Sequence, residues 1–238
     1  MKQNYDGNPA DYNALVEQGY SFQLSQYINR GWFFFISSPG PFVGFTLLYI
    51  AFEVLSNLLI SGILQNIISY VVAPLYYAGI YIACHRIAKG EFISIRDFFS
   101  GADHWLQLFL GTLIVSIFTF IGTIFLLIPG IYLGVAYSFT SLFIIFGQMN
   151  FWNAMETSRK VITRQWWNFF GLMLVTVGIV LLGFLALGIG VLVAFPLMSC
   201  IYYAAFEDIV LSHTSALDNL IDELGEDPTQ ADPYTGDF

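Results

Sequence analysis

Two stretches of this chain carry no charged side chain: Trp105 to Met155, 51 residues long, and Gln165 to Phe206, 42 residues long. A third, Gly31 to Cys84, carries only Glu53. A helix needs about 20 apolar residues to cross the hydrocarbon of a bilayer. Lipid offers no hydrogen bonds, so a run of this kind crosses as a helix, which satisfies its own backbone. Each stretch therefore has room for two spans. The predicted fold is an all-α membrane protein whose six transmembrane helices form three hairpins. Composition agrees: 57% of the 238 residues are hydrophobic and 11% charged, against about 25% charged in soluble domains.

Turn residues place the hairpin tips. Ser61, Gly62, Gln65 and Asn66 interrupt the first stretch, Pro129-Gly130 the second, and Gly188-Ile189-Gly190 the third. Proline cannot continue a preceding helix, and glycine accepts a turn. The expected spans are 41–61, 67–88, 106–128, 131–149, 167–187 and 191–211. The glycines of the fifth span, Gly171, Gly178 and Gly183, together with Gly188 and Gly190, are expected to let helices approach closely.

The Lys and Arg residues fix the orientation. Lys2 and Arg30 precede span 1, Arg86, Lys89 and Arg96 lie between spans 2 and 3, and Arg159, Lys160 and Arg164 lie between spans 4 and 5. The tips have none. Cytoplasmic loops gather basic residues, so the N-terminus and C-terminus are both expected to be cytoplasmic. No cleavable signal peptide is read in the polar first thirty residues, and the first span is expected to serve as the insertion signal.

Each hairpin is preceded by a stretch that reads as an amphipathic helix on the cytoplasmic interface. These begin near Phe22, at Ser94 as a cap, and at Asn153. In the last, Met155, Val161 and Ile162 oppose Arg159, Lys160 and Arg164. Each ends in tryptophan, at Trp32, Trp105 and Trp166-Trp167, a residue that favours the headgroup zone. A threefold internal repeat and ordinary anchoring both account for this pattern. The domains expected are a polar segment over 1–20, a membrane domain over 21–211 and an acidic tail over 212–238.

The net charge of −9 belongs to the end of the chain. Nine carboxylates follow Ala205 with no Lys or Arg among them, and the other eight balance the eight bases. Such a distribution argues against nucleic acid as a partner. Ser215 could cap a short helix placing Leu217, Leu220, Ile221 and Leu224 on one face. That helix docks either on the chain's own basic residues, Arg86, Lys89, Arg159 and Lys160, or on a basic partner protein. The same basic residues, with Arg164, are expected to contact lipid headgroups.

Several segments resemble a family of bacterial integral membrane proteins of poorly defined role. They are Phe22-Gln23-Leu24, Arg30-Gly31-Trp32, Pro41 to Phe45, Asp97 to Gly101, Leu126 to Ala136, Ala154 to Lys160, Gly188-Ile189-Gly190 and Phe195-Pro196-Leu197. That family is related to the membrane domain fused to some glycerophosphodiester phosphodiesterases. The resemblance covers about residues 20 to 210 and implies a six-helix module of the bacterial inner membrane. It does not imply phosphodiesterase activity, which needs a separate catalytic domain opening on His-Arg-Gly. Here His85-Arg86 is followed by Ile87.

Glu53 is the sharpest polar residue. A carboxylate at the centre of a span costs roughly 2.5–3.5 kcal/mol on insertion scales. Asn57 follows one helical turn later, and Tyr70, Tyr77 and Tyr81 could supply hydroxyls. The group is either a proton relay or substrate contact, or a buried bond between helices. Pro74 and Pro196 would bend spans 2 and 6. Cys84 and Cys200 read as small apolar packing residues. His85, His104 and His213 are scattered, so no metal, cofactor or catalytic set is expected. The expected function is that of a non-enzymatic structural or accessory subunit of a membrane assembly. The alternative is a small transporter or lipid-handling protein using Glu53. Its oligomeric state is not legible.

Overall fold

A computed structural model describes residues 8–125, 127–186 and 190–214. Among them there is no strand, and six helical segments are long and apolar enough to cross a membrane. The chain is a multi-pass, all-helical membrane protein. A 3₁₀ turn, Pro9–Tyr12, leads into α1, Asn13–Gln18. Then come α2, Leu24–Ser37; α3, Pro39–Leu59; and α4, Ile63–Ala88. A ten-residue 3₁₀ segment, Ile95–His104, runs into α5, Trp105–Phe125. Next are α6, Leu127–Ala136; α7, Thr140–Ile145; and α8, Phe151–Thr163. The last are α9, Trp166–Leu185, and α10, Val191–Phe206, which passes into a wider π turn, Glu207–Leu211.

Helix starts follow local chemistry. Asn150 caps α8 by accepting the Asn153 backbone N–H at 2.9 Å. Ser94 and Asp97 form a reciprocal box at the 3₁₀ segment, with Asp97 Oδ2 accepting the Ser94 N–H at 2.7 Å. Both arrangements satisfy backbone donors that a helix start leaves open.

Three turns differ from expectation. Gln65 and Asn66 lie in the first turn of α4 rather than in the tip. The Gln65 amide finds side-chain partners there (below), so it need not stay in water. Gly62, at φ 79°, makes the turn. Pro129 and Gly130 lie inside α6 rather than between helices. Proline is tolerated in a first turn, whose N–H groups have no helical partner. Gly130 is required because a Cβ there would lie 2.7 Å from the Thr123 backbone on α5. The fourth span is broken, with α6 ending at Ala136 and α7 starting at Thr140. In the third tip Gly188 and Ile189 lie outside the described residues, as does the tail helix with Leu217, Leu220, Ile221 and Leu224.

Packing is concentrated at one end. In the apolar window of the last span, 72% is buried, against 17–22% for the first, third and fifth. The helix α10 is therefore the hub, in contact with α2, α3, α4 and α9. Gly31 of α2 lies so close to it that a Cβ would sit 2.8 Å from the Ile201 backbone. Phe34, Phe139, Phe143, Phe206 and Tyr203 are fully buried. Phe206 meets Phe139 and Phe143 edge-on, with ring centroids 5.4 and 5.1 Å away. Residues 1–20 contribute to this core through Leu15 and through Tyr12, which packs edge-on against Phe143 at 5.1 Å. At the other end of the spans Leu58, Leu59, Ile63, Phe125, Ile128 and Leu185 are exposed. Apolar surface of this kind is stable where lipid is the solvent.

Only some of the expected glycine contacts form. Gly183 and Gly190 pack against each other, whereas Gly171 and Gly178 face open space. The latter two lie on faces of α9 that no helix approaches.

Candidate functional site

Glu53 lies six residues before the end of α3, about 9 Å from it along the axis. The middle of the helix, Tyr49, is closer, about 6 Å away, so Glu53 lies near mid-span, displaced toward the tip. Its carboxylate joins α3 to α4. Oε2 accepts from Ser69 Oγ at 2.6 Å and from Gln65 Nε2 at 3.4 Å. Gln65 Nε2 also donates to Ser56 Oγ at 3.1 Å and to Ser69 Oγ at 3.2 Å. The sequence offered Tyr70, Tyr77 and Tyr81 as partners; the structure places Ser69 and Gln65 on the carboxylate, with Tyr49 alongside. Ser69 and Gln65 follow the tip turn, and their side chains reach back across it to α3. Asn57 is exposed and takes no part.

Two atoms of this cluster, Glu53 Oε1 and Gln65 Oε1, are buried without a hydrogen bond. Glu53 lines a cavity of about 380 Å³ with Tyr49, Ser69, Tyr70, Ala73 and Thr112. Tyr77 and Tyr81 are not in it. They line a second cavity of about 310 Å³ with Ser138, Ser141 and Tyr202. Both cavities touch Ala73 and Thr112, so they adjoin. Pro74 lies on the wall of the second. An expected result follows for the cluster. Ser69→Ala should lower stability in detergent by about 0.6 kcal/mol, the mean for such bonds between membrane helices. Glu53→Gln keeps an acceptor for Ser69 and should cost less, as steric-trapping or thermal unfolding would read. Equal losses would mean that Ser69 does not hold Glu53.

A second polar region lies at the end of the spans that bears the charged groups. A cavity of about 410 Å³ is lined by Gln26, Arg30, His85, Lys89, Tyr203, Glu207 and Asp208, among others. Arg30 grips Glu207 with two bonds, of 2.7 and 2.9 Å. Tyr27 donates to Asp208 Oδ2 at 2.9 Å. Burial, with Asp208 alongside, pushes the Tyr27 hydroxyl well above the ordinary tyrosine range, so it remains a donor. His85 Nδ1 and Tyr203 Oη are 2.8 Å apart. The sequence showed Glu207 and Asp208 only as part of an acidic run. Their turn toward α2 depends on the π turn that follows α10, and no residue pattern announces that turn.

The other basic residues divide into two groups. Arg86 pairs with Asp97 at 2.7 Å. Arg159 pairs with Glu156 at 2.7 Å, and Lys160 lies 3.9 Å from the same carboxylate. The Arg159 guanidinium holds the Glu156 carboxyl below the usual range. These residues are spent largely on the chain's own acids, at partly exposed sites where such pairs add little stability. On the opposite side of α8, Met155, Val161 and Ile162 are buried. Lys89, Arg96 and Arg164 are exposed and have no acidic partner among the described residues.

Cys84 and Cys200 meet, with Sγ atoms 3.1 Å apart across α4 and α10, as buried free thiols. Their separation of 116 positions gave no sign of this. Among the described residues no group of three or more His, Cys, Asp or Glu is placed to hold a metal ion. Comparison with protein-family models, with curated proteins and with solved structures found no match.

Proposed function

We propose that this chain is a non-enzymatic structural or accessory subunit of an assembly in the bacterial inner membrane. Its six spans would form three hairpins. The α2 helix, the Ile95–His104 segment and α8 would lie as amphipathic elements on the cytoplasmic face, with both termini on that side. The resemblance noted in the sequence supports the module and the bacterial membrane. The placement of Lys and Arg supports the orientation.

The observation that carries the accessory reading is the aromatic plug. Phe34, Phe139, Phe143, Tyr203 and Phe206 fill the core at the charged end, buried beneath the cavity that Tyr203 helps to line. A substrate path would have to open there, through side chains packed as in a protein interior. The polar groups around the plug serve internal bonds, Arg30 to Glu207 and Tyr27 to Asp208. Partners would then be membrane lipids and a protein, the latter gripped by the acidic tail.

The test is affinity purification of the full chain from native membranes, with proteins and lipids identified. A stoichiometric protein partner is expected, and it should be lost when residues 212–238 are deleted. Recovery of the chain alone, together with substrate uptake into proteoliposomes, would overturn the reading. One observation favours that rival, a small transporter or lipid-handling protein: the unbonded Oε1 of Glu53, which lines one of two adjoining cavities. In that case Glu53→Gln should abolish uptake.

Sidedness has its own expected result. A thiol introduced beside Gly130 in a cysteine-free background should react in intact cells with a reagent that cannot cross the bilayer. One beside Lys160 should not. The reverse pattern would invert the topology.

A further inference from the structure

The apolar groove between α3, α4 and the Ile95–His104 segment has a volume of about 270 Å³. One face of α3 forms a wall, with Phe45, Leu48, Tyr49 and Phe52, and Tyr76 and Phe98 lie behind. Its rings are fixed by one another. Phe45 stacks on Tyr76 at 5.5 Å, Tyr49 stacks on Tyr76 at 4.4 Å, and Phe45 meets Phe99 edge-on at 5.5 Å. The Tyr76 hydroxyl is occupied by Thr46, 3.0 Å away. The mouth faces outward, because Leu48, Phe52 and Phe99 are 52%, 41% and 59% exposed. Leu48 and Phe52 stand on the membrane-crossing helix α3, so the solvent at the mouth is lipid tail.

The groove has a charged rim. In a 3₁₀ helix, side chains three apart eclipse one another. Arg96, Phe99 and Ala102 therefore form one row, and the last two line the groove. The direction of the row is fixed by its contacts. Asp97 bonds Arg86 at the charged end of α4. Phe98 lies on Gly79 and Gly101 lies on Ala78, further into the span. Arg96 is thus at the headgroup end of a groove that runs toward the hydrocarbon. It is exposed and has no ion pair among the described residues. Asp103, the remaining acid of the segment, is seven residues on, about 14 Å along the axis.

We infer that this groove is a binding site for an anionic glycerophospholipid, one acyl chain lying along the aromatic wall and the phosphate on Arg96. An aromatic-lined slot gives the chain fixed contacts that bulk lipid does not, and a guanidinium pairs with phosphate through two parallel bonds. The inference needs only the membrane setting, and it stands on either reading of function.

The full chain, purified in detergent, would be exchanged with phosphatidylglycerol or phosphatidylethanolamine bearing identical chains, and retained lipid counted by native mass spectrometry. The wild type is expected to hold one phosphatidylglycerol about tenfold more strongly than phosphatidylethanolamine, a difference of about 1.4 kcal/mol. Arg96→Gln should bring the two lipids level. Leu48→Trp, at an exposed position on the wall, should reduce retention of both. Leu185→Ala, at a lipid-exposed position on α9 away from the groove, should change nothing. Each variant is first checked for wild-type elution and melting. Phosphatidylglycerol held as firmly by Arg96→Gln as by the wild type would overturn the site, and so would retention unaffected by Leu48→Trp. Equal wild-type affinity for both lipids would overturn the preference for an anionic headgroup.

Discussion

Gly79→Val should prevent the chain from assembling as described, whereas Gly171→Ala and Gly178→Ala should leave it as stable as before or slightly more so. A Cβ at Gly79 would stand 2.4 Å from the Phe98 carbonyl oxygen and 3.1 Å from the Phe45 ring. The first obstacle is backbone, so no rotamer change relieves it. The Ile95–His104 segment would have to lift off α4, undoing the Phe42–Phe98 and Phe45–Phe98 ring contacts at 5.4 and 4.7 Å. Overpacking in a filled interior costs about 1–3 kcal/mol and sometimes more. With two branches added against backbone, the upper end or beyond is expected. Gly171 and Gly178 have no neighbour within 4 Å, and alanine there gains up to about 1 kcal/mol of helix propensity. Size-exclusion profiles and melting midpoints in mild detergent would read both arms. A well-behaved Gly79→Val protein would mean that the segment does not lie on α4.

Phe206→Ala is the second large effect. The ring is fully buried where α10 ends, with Phe139, Phe143 and Phe146 around it at 5.4, 5.1 and 6.0 Å. Removing it leaves a cavity walled by rigid rings, which collapse poorly. Phenylalanine truncations of this kind cost about 3–5 kcal/mol in soluble cores. In a bilayer the unfolded reference is itself apolar, so the loss expected here is mainly of packing contacts. Leu185→Ala, at a residue 80% exposed to lipid, is the matched control and should be nearly neutral. Phe206→Leu should fall between. If Phe206→Ala and Leu185→Ala melted together, the hub would not be where α10 ends.

The six spans were legible because they depend on runs of residue type. Charge-free length reports the cost of putting ions in hydrocarbon, a cost every residue carries wherever it packs. Six spans therefore emerged close to their observed limits. What stayed hidden depends on pairs distant in the chain. Cys84 finds Cys200, Arg30 finds Glu207, and Gly31 fits against Ile201. No local pattern encodes those meetings, since any small residue, base or acid on the right helix would have looked the same. The tips misled for a related reason. Pro129-Gly130 and Gln65-Asn66 are turn residues in water, but helix α6 accepts proline in its first turn and the Gln65 amide finds Ser56 and Ser69. Glu53 was found by its rarity, although its true partners, Ser69 and Gln65, were passed over for larger hydroxyls.

The seating of α2 against α10 constrains how the protein is made. Gly31 and its neighbours receive their docking surface from residues around Ile201, which the ribosome adds some 170 positions later. The earlier helices must enter the bilayer and wait there, without the surface that α10 supplies, until it arrives. A chain stalled before Val191 would leave the face of α2 around Gly31 and Phe34 uncovered.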